Sequence, residues 1–485
     1  VPERQRSLRA VFDQTWNSLS PAEQAAFARL AVFQGIFDRA AAEAVVDAQL
    51  TTLASLVDKS LVRRHEPRNG HSEMQHSLHR VLQQYAREKL DDFPGEPDAT
   101  RHRHSAHYLA LLAQKKPALQ SAQQPAALAE IAAQIENIEP AWDWAVANSA
   151  ITALSAAWPS LFWFYAMRGR LSEGQAAFAL LTAGLRIGAQ TWADSSDQRS
   201  CRALLGASLA AQSWFTCQLG HEAMAETLSR QSLELLRQTE TPQTLAFSLD
   251  IRASLLIHTE ARDEVQHCCE ESLELYRSLG DESGAALALG QLGQLAFLRG
   301  DHGEAANHCL SSLGTLRRLG NRWATAFPLL YLGQIETTRG AYEHAQELLE
   351  EAWRIRWEYG DGRGIALASL HLGDLARARG NYSAAQERYR QALGVFCGQE
   401  HQHGVCEALL RVAIVLAETG EEEEALGLLL VLSSQQTDAG ASQPASEALV
   451  VALAGRLAPE ARVAAQQRAQ ATSLAAEVAR YRLPC

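Results

Sequence analysis

Three histidines in the first quarter of the chain are of a type that could bind a metal ion. His102, His104 and His107 lie within one short segment, and His104 and His107 are spaced to share one face of a helix. A zinc site needs three or four such ligands in a defined arrangement. No cysteine, acidic residue or H-E-x-x-H motif completes such a site here. We therefore expect no metal site and predict a solvated helix face.

Motifs for nucleotide hydrolysis and for acyl transfer are missing from the sequence. There is no G-x-x-x-x-G-K-[S/T] loop to cradle a triphosphate and no G-x-S-x-G turn to present a nucleophilic serine. The glycine-rich run Gly360-x-Gly362-x-Gly364 has neither a preceding strand nor the lysine, and we interpret it as a turn between helices. We predict no catalytic residues, no enzyme activity and no cofactor in this chain.

Glycine recurs at a fixed interval in the second half of the chain. Leu279-Gly280-Asp281, Leu319-Gly320-Asn321 and Tyr359-Gly360-Asp361 are 40 residues apart, and a second series that begins at Arg299-Gly300-Asp301 falls halfway between them. Glycine just past a helix end adopts the left-handed conformation that closes the helix, and Asp or Asn can cap the next helix. A stop and a start every 20 residues predicts antiparallel helix pairs.

Small residues recur in the second helix of each pair, at Ala305, Ala345, Ala385 and Ala425, and they let neighbouring helices approach closely. This pattern resembles the tetratricopeptide family in a 40-residue form, specifically over residues 282–427 and more weakly over 201–280. The resemblance implies a stack of helix pairs whose first helices line a concave face.

Polar residues occupy equivalent places in the first helices. Gln294, Gln334 and Asp374 form one row, and Thr337 and Arg377 form a second. We predict that these residues bind a protein or small-molecule ligand on the concave face; the alternative is that they are merely solvated.

An aromatic cluster precedes the repeats. Trp158, Phe162, Trp163, Phe164 and Tyr165 recur at helical spacing, which favours a core position where linker helices meet the repeats. A hydrophobic ligand pocket is the alternative.

The first ninety residues have a different pattern. Ser20-Pro21-Ala22-Glu23 is a capping box that begins a helix, and further helices are predicted at Arg39–Val46 and from Leu50. Asn69-Gly70 is a strong hairpin turn, and a closing helix follows from about His79. Three helices, a β-wing and a closing helix predict a winged helix.

The order of these segments resembles a known class of signalling protein. Arg6–Phe12, Leu19–Phe33, Leu56–Arg64 and Glu136-Asn137-Ile138 look like the winged-helix and linker parts of bacterial STAND-type, NB-ARC-like ATPases with tetratricopeptide sensors. The predicted fold is mainly α, with a winged-helix-like N-terminal domain followed by a tetratricopeptide-type α-solenoid. The predicted domains are a winged-helix-like domain (1–95), a helical linker bundle or degenerate repeats (96–200), a tetratricopeptide superhelix (201–436) and C-terminal capping helices (437–485).

The resemblance also implies a role for one histidine. In that family a Met-His-Asp-type motif opens the last winged-domain helix, and its histidine reaches the phosphates of bound ADP. The matching residues are Leu78-His79-Arg80, so His79 is the predicted nucleotide-sensing residue in a full-length protein. Arg80 departs from the family pattern.

The expected function is that of a sensor and regulatory region. The resemblance implies an ATPase domain upstream of Val1, with ADP or ATP bound there, restrained by the repeats and controlling transcription. A stand-alone scaffold or adaptor for protein–protein interaction is the alternative. The absence of long apolar runs predicts no membrane span, and the eight cysteines, none of them in a C-x-x-C motif, predict reduced thiols in the cytoplasm. The net charge of −12 predicts no nucleic-acid contact by the repeats. A ligand-dependent oligomer is a further expectation.

Overall fold

The computed structural model describes residues 3–47, 49–66, 74–188, 196–399, 401–434 and 442–482, which are mostly helical. They divide into two compact units. Unit 1 comprises Val1–Leu119, Pro125–Leu161 and Ala183–Cys201, and unit 2 comprises Gln120–Gln124, Phe162–Thr182 and Arg202–Cys485.

The N-terminal elements form a winged helix. The helices are α1 (Glu3–Asn17), α2 (Pro21–Arg29), α3 (Arg39–Val46), α4 (Leu50–Asp58) and α5 (Arg80–Asp91), with a 3-10 turn at Leu30–Val32, and the strands are β1 (Phe37–Asp38), β2 (Arg63–His65) and β3 (Gln75–Ser77). The strands form an antiparallel sheet in the order β1-β3-β2. The predicted Asn69-Gly70 turn lies outside the described residues, between the two strands that pair as the wing.

The predicted capping box is confirmed at the start of α2. The Ser20 backbone N–H donates to the Glu23 carboxylate at 2.8 Å, and the Glu23 N–H donates back to the Ser20 hydroxyl at 3.4 Å. The Glu23 carboxylate also accepts from Lys59 and Ser55. These donors, the lysine first, lower the pKa of Glu23 to about 2. One carboxylate therefore closes a helix start and ties α2 to α4.

Long helices follow the winged helix. They are α6 (Glu96–Leu119), α7 (Gln124–Ala147), α8 (Ile151–Met167), α9 (Leu171–Gly188), α10 (Ser196–Gln218), α11 (Glu222–Leu236), α12 (Pro242–Leu256), α13 (Arg262–Ser278), α14 (Glu282–Leu298), α15 (His302–Leu319), α16 (Arg322–Thr338), α17 (Tyr342–Tyr359), α18 (Gly362–Ala378), α19 (Tyr382–Gly398), α20 (Gln402–Glu418), α21 (Glu422–Ser434), α22 (Ser442–Arg456), α23 (Pro459–Ala471) and α24 (Leu474–Tyr481). In the described residues no single helix is long and apolar enough to cross a bilayer, although the bent pair α3 and α4 passes by length and composition.

The repeat turns follow the predicted chemistry. The recurring glycines from Gly280 to Gly420 have φ between +69° and +89°, a left-handed region that glycine adopts without strain. Asp281 accepts from the N–H of Gly284 at 2.9 Å, and Asn381 accepts from that of Ala384 at 3.2 Å. The predicted stops and caps are therefore confirmed at these turns.

Asn321 is an exception to the predicted capping. Its side chain makes no cap hydrogen bond with the start of α16. The Asn321 amide instead donates to Ser283 at 3.0 Å, and its oxygen accepts from Gln124 at 3.0 Å. Because both ends of the amide are used for packing in unit 2, none is left to close the helix.

Candidate ligand-binding site in the repeats

The first helices of successive repeats enclose a large cavity within unit 2. Its volume is about 490 Å³, and its lining residues come mainly from α10, α12, α14, α16, α18 and α20. The lining combines aromatic rings, histidines, carboxylates and guanidinium groups. A cavity of this size and mixed polarity has the character of a small-molecule or peptide site.

The lining follows the 40-residue repeat. Trp214, Ser254, Gln294, Gln334 and Asp374 form one row along the first helices, each 40 residues from the next. All but Asp374 line the cavity. A second row, three residues earlier in each helix, shares the same helix face and contains Gln291, Tyr331, His371 and Arg411.

Gln294 and Gln334 are two of the five predicted binding residues, and both lie in the cavity wall. The Gln294 amide nitrogen is 3.4 Å from Nε2 of His258, and that of Gln334 is 3.3 Å from Nε2 of His371. Each glutamine therefore shares a polar contact with a histidine of a neighbouring repeat. The binding role of the two glutamines stays a prediction.

The other three predicted binding residues lie outside the cavity wall. They are Asp374, Thr337 and Arg377. Asp374 accepts from Nε of Arg411 at 3.1 Å, so it orients a lining residue. The Thr337 hydroxyl donates within its own helix at 2.8 Å, and Arg377 pairs with Glu418 at 2.7 Å. None of these three lines the cavity.

An ion-pair network lies at the α18–α20 side of the cavity. Arg411 bridges Asp374 and Glu407, which it contacts at 3.1 and 2.9 Å. Burial alone raises the pKa of Glu407, but Arg411 and nearby histidines outweigh it and lower that pKa to about 2. Burial also opposes ionisation of Asp374, and Arg411 and His371 hold its pKa well below the usual value. Both carboxylates are therefore ionised, and both pair with Arg411.

Histidines of this cavity escaped the sequence analysis. His258, His371, His401 and His403 all line it, and burial, the largest effect, lowers the pKa of His401 to about 3. A neutral imidazole offers one donor and one acceptor to a ligand. His371 could have been found from its position in the second 40-residue row.

A smaller aromatic cavity adjoins the large one. Its volume is about 120 Å³, and the two cavities share Trp214, Trp323, Phe327 and Tyr331 in their walls. Phe162 and Trp163 of the predicted aromatic cluster lie in its wall as well. Phe162 also packs in the core, with ring centroids 5.4 Å from Trp214 and 5.1 Å from Phe247. Phe162 therefore belongs both to the core and to the cavity wall.

Several buried polar atoms in these walls have no hydrogen-bond partner among the described residues. They include Nε1 of Trp323, Oε1 of Gln399 and Oδ1 of Asp250. Such an atom costs about 1–3 kcal/mol when it is left unsatisfied. A bound ligand with matching polar groups would remove that cost, so these atoms are candidate contacts for a ligand.

Arg363 is a half-buried basic residue of α18. It lines the large cavity, and its guanidinium donates to the side-chain oxygen of Gln218. Within the described residues it forms no ion pair, and burial lowers its pKa. Arg363 is therefore a basic group of the cavity wall that hydrogen-bonds to a neutral amide.

His79 lies in unit 1, at the start of α5. It is exposed and caps this helix, because its Nδ1 accepts from the N–H of Val81 at 3.3 Å. The substitution of Arg80 for the family aspartate thus leaves a capped helix start. The nucleotide-sensing role of His79 stays a prediction.

The three clustered histidines of α6 require one correction. His102 is exposed, but His104 is buried, so the predicted solvated face is wrong at that position. His104 packs in the core of unit 1 against Phe33 and Tyr108, with ring centroids 5.5 and 4.8 Å away. Burial lowers its pKa to about 4. Among the residues with described positions, no group of three or more possible ligands could hold a metal ion.

Comparison with known proteins agrees with this architecture. Residues 19–91 match the family model of the winged helix-turn-helix domain. Over 184 residues the chain is 36% identical to proteins of Mycobacterium bovis and Mycobacterium tuberculosis, each named "Putative HTH-type transcriptional regulator". That match covers 36% of this chain and 20% of each relative, so the chain spans about a fifth of their length.

A solved structure resembles nearly the whole chain. The crystal structure of a STAND protein with a tetratricopeptide repeat sensor from Pyrococcus horikoshii matches with a TM-score of 0.53 and 14% identity. The match covers 97% of this chain and 66% of that one. At this identity the likeness concerns the fold alone.

The fold is therefore a winged-helix domain followed by an α-solenoid of tetratricopeptide type, and the predicted fold class is confirmed. The predicted resemblance to the winged-helix and repeat part of STAND-type regulators is also confirmed, in fold and domain order. Together these findings support a regulatory role.

Proposed function

We propose that this chain is the sensor and regulatory region of a larger STAND-type ATPase signalling protein. The large cavity of the repeats binds a protein segment or a small molecule, and binding relieves a restraint on an ATPase domain. The observation that carries this proposal is the mixed-polarity cavity itself, in whose walls buried atoms such as Nε1 of Trp323 have no hydrogen-bond partner among the described residues. Ordinary helix packing leaves few such groups.

The ATPase would lie outside the chain described here. The chain spans 20% of its curated relatives, which leaves room for further domains in a protein of that length. ADP or ATP would bind to that upstream domain, and His79 would contact the nucleotide phosphates. Ligand-dependent oligomerisation and control of transcription in the cytoplasm complete the proposal.

A stand-alone adaptor remains the second candidate. Tetratricopeptide stacks offer extended surfaces for partner chains, and the relatives' names do not exclude this use. The gene region upstream of Val1 distinguishes the two candidates, because a nucleotide-binding domain of ordinary size needs roughly 250 residues and a phosphate-binding loop.

Regulation can be tested on the full-length protein. ATP hydrolysis would be measured with and without the low-molecular-weight filtrate of the native cell lysate, in wild type and in the double variant Gln334→Ala/His371→Ala. We expect the filtrate to stimulate hydrolysis in the wild type and to lose most of this effect in the variant. The matched control is Gln346→Ala on α17, where the amide only contacts Glu350 and Arg379 near the surface.

Two outcomes would contradict the proposal. Equal stimulation of the double variant and the wild type would place the sensor outside the cavity. Hydrolysis that neither responds to the filtrate nor rises when residues 202–485 are deleted would show that the repeats do not restrain an ATPase.

A further inference from the structure

Asp250 is an acidic residue at a repeat position that is otherwise small or apolar. The residues at the same place in the other repeats are Ala210, Gly290, Leu330, Leu370 and Leu410. Asp250 lies on α12, in the wall of the 120 Å³ cavity, and is 8% exposed. A carboxylate in such a position is costly unless it is paired.

Among the residues with described positions, none is a basic partner for the carboxylate of Asp250. Asp361 pairs with Arg356 at 2.9 Å and Asp374 pairs with Arg411 at 3.1 Å. By contrast, no ion pair to Asp250 occurs within the described ranges, and its Oδ1 is buried without a donor. The charged group that influences it is another acid, Asp281. A cation is the partner that this carboxylate would need in its ionised form.

Aromatic rings surround the same space. Trp163, Trp214, Phe247, Phe327 and Tyr331 are among the residues in the cavity wall. Aromatic ring faces attract cations within about 6 Å of the ring centroid. A carboxylate set among several rings is the combination that recognises amine and quaternary ammonium groups.

Two rings of this cavity wall, Trp323 and Phe327, already contact a cation of the protein itself. The Arg356 guanidinium lies 4.6 Å from the ring centroid of Trp323 and 4.1 Å from that of Phe327. The charge of Arg356 is matched by Asp361, so it does not supply the partner of Asp250. The contact shows that rings of this wall pack against a positive charge.

We propose that the aromatic cavity beside Asp250 is a subsite for an organic ammonium group of the ligand, either an amine or a quaternary ammonium. This proposal rests on the proposed function, in which the repeats bind a ligand. The volume of about 120 Å³ is on the order of the ~150 Å³ cavity that admits benzene in another protein. A trimethylammonium group fits that space, and the rest of the ligand extends into the 490 Å³ cavity.

Choline and 3,3-dimethylbutan-1-ol form a matched pair of probes, since they share a shape and differ in charge. Their binding to the full chain would be measured by titration calorimetry at pH 8. We expect choline to bind at least tenfold more tightly than the neutral alcohol. Asp250→Asn should lower the affinity for choline at least tenfold and leave the affinity for the alcohol unchanged. Asp263→Asn, at a fully exposed acid of α13, is the control that should change neither.

A second variant tests the rings. Phe327→Leu keeps an apolar side chain but removes the ring. It should weaken the binding of choline more than the binding of the alcohol. Circular dichroism of each variant establishes that the helices are intact. Equal binding of the two probes, no binding of choline, or full choline affinity in folded Asp250→Asn would overturn the ammonium subsite. A filtrate response that depends on Gln334 and His371 would still stand in that case, so failure of this inference is distinguishable from failure of the proposed function.

Discussion

Asp250→Asn is also expected to make the chain more stable, because it removes an unpaired buried charge. Burial raises the pKa of Asp250 from 3.8 to about 7. Each unit of pKa difference between folded and unfolded states corresponds to 1.36 kcal/mol, so the ionised carboxylate destabilises the fold by about 4 kcal/mol. An asparagine lacks that penalty but leaves an amide to be satisfied, at about 1–3 kcal/mol. The net gain at pH 8 is therefore about 1–3 kcal/mol.

The sign of the pH dependence follows from the raised pKa. The folded state binds the proton of Asp250 more tightly than the unfolded state, so this residue lowers stability as pH rises from about 4 to about 7. The full penalty is present above pH 7. The neighbouring titratable groups are Asp281, Tyr276 and Cys269. Burial raises the pKa of Tyr276 and of Cys269, so both side chains stay neutral between about pH 4 and pH 7. The advantage of Asp250→Asn should shrink to near zero at pH 5.

The assay is chemical denaturation at pH 5 and pH 8, followed by circular dichroism, with wild type and variant compared at each pH. Asp361→Asn is the matched control, since the Asp361 carboxylate pairs with Arg356 and caps α18 at Gly364. Breaking that buried pair should lower the free energy of unfolding by about 3 kcal/mol. The reasoning is refuted if Asp250→Asn is less stable than the wild type at pH 8, or if its effect is the same at both pH values.

Three further perturbations follow from the structure. Arg411→Met removes the guanidinium that pairs with the carboxylates of Asp374 and Glu407, so the free energy of unfolding should fall by about 3 kcal/mol in urea titrations; an unchanged midpoint would show that the network is unimportant. Gly340→Val places a β-branched residue at φ +79° and should destabilise by about 1–2 kcal/mol, seen as an earlier thermal transition, whereas an unaltered transition would contradict a left-handed turn there. His79→Ala should change the stability of this chain by no more than about 0.5 kcal/mol while lowering the ADP that co-purifies with the full-length protein, and retention of all the ADP would remove the sensing role.

The parts of the fold that the sequence predicted are those governed by local chemistry. A glycine such as Gly300 ends a helix because of its own backbone freedom, and Ser20 caps a helix through a partner three residues away. These signals need no knowledge of distant contacts. Asn321 failed as a predicted cap because Gln124 and Ser283, far away in the sequence, compete for its amide.

The candidate binding residues were only partly predictable for the same reason. Repeat periodicity places Gln294 and Gln334 in one row, and the structure puts both in the cavity wall. Periodicity does not reveal that Asp374 is engaged by Arg411, since that contact joins two repeats. His401 and His403 lie at the start of α20, outside the rows, and only the folded chain brings them to the cavity.

Asp250 shows how a repeat protein can reveal its site through departures from its own pattern. Each repeat packs against its neighbours in the same way, so the residues at equivalent positions show which side chains this packing requires. At the position of Asp250 they are small or apolar. A carboxylate that replaces them, 8% exposed and without an ion-pair partner among the described residues, lowers stability and is explained by binding rather than by packing. Binding residues are often those that lower stability, and the aromatic rings around Asp250 indicate which charge would compensate for its cost. The same comparison of equivalent positions is therefore a route to ligand chemistry that neither composition nor fold supplies.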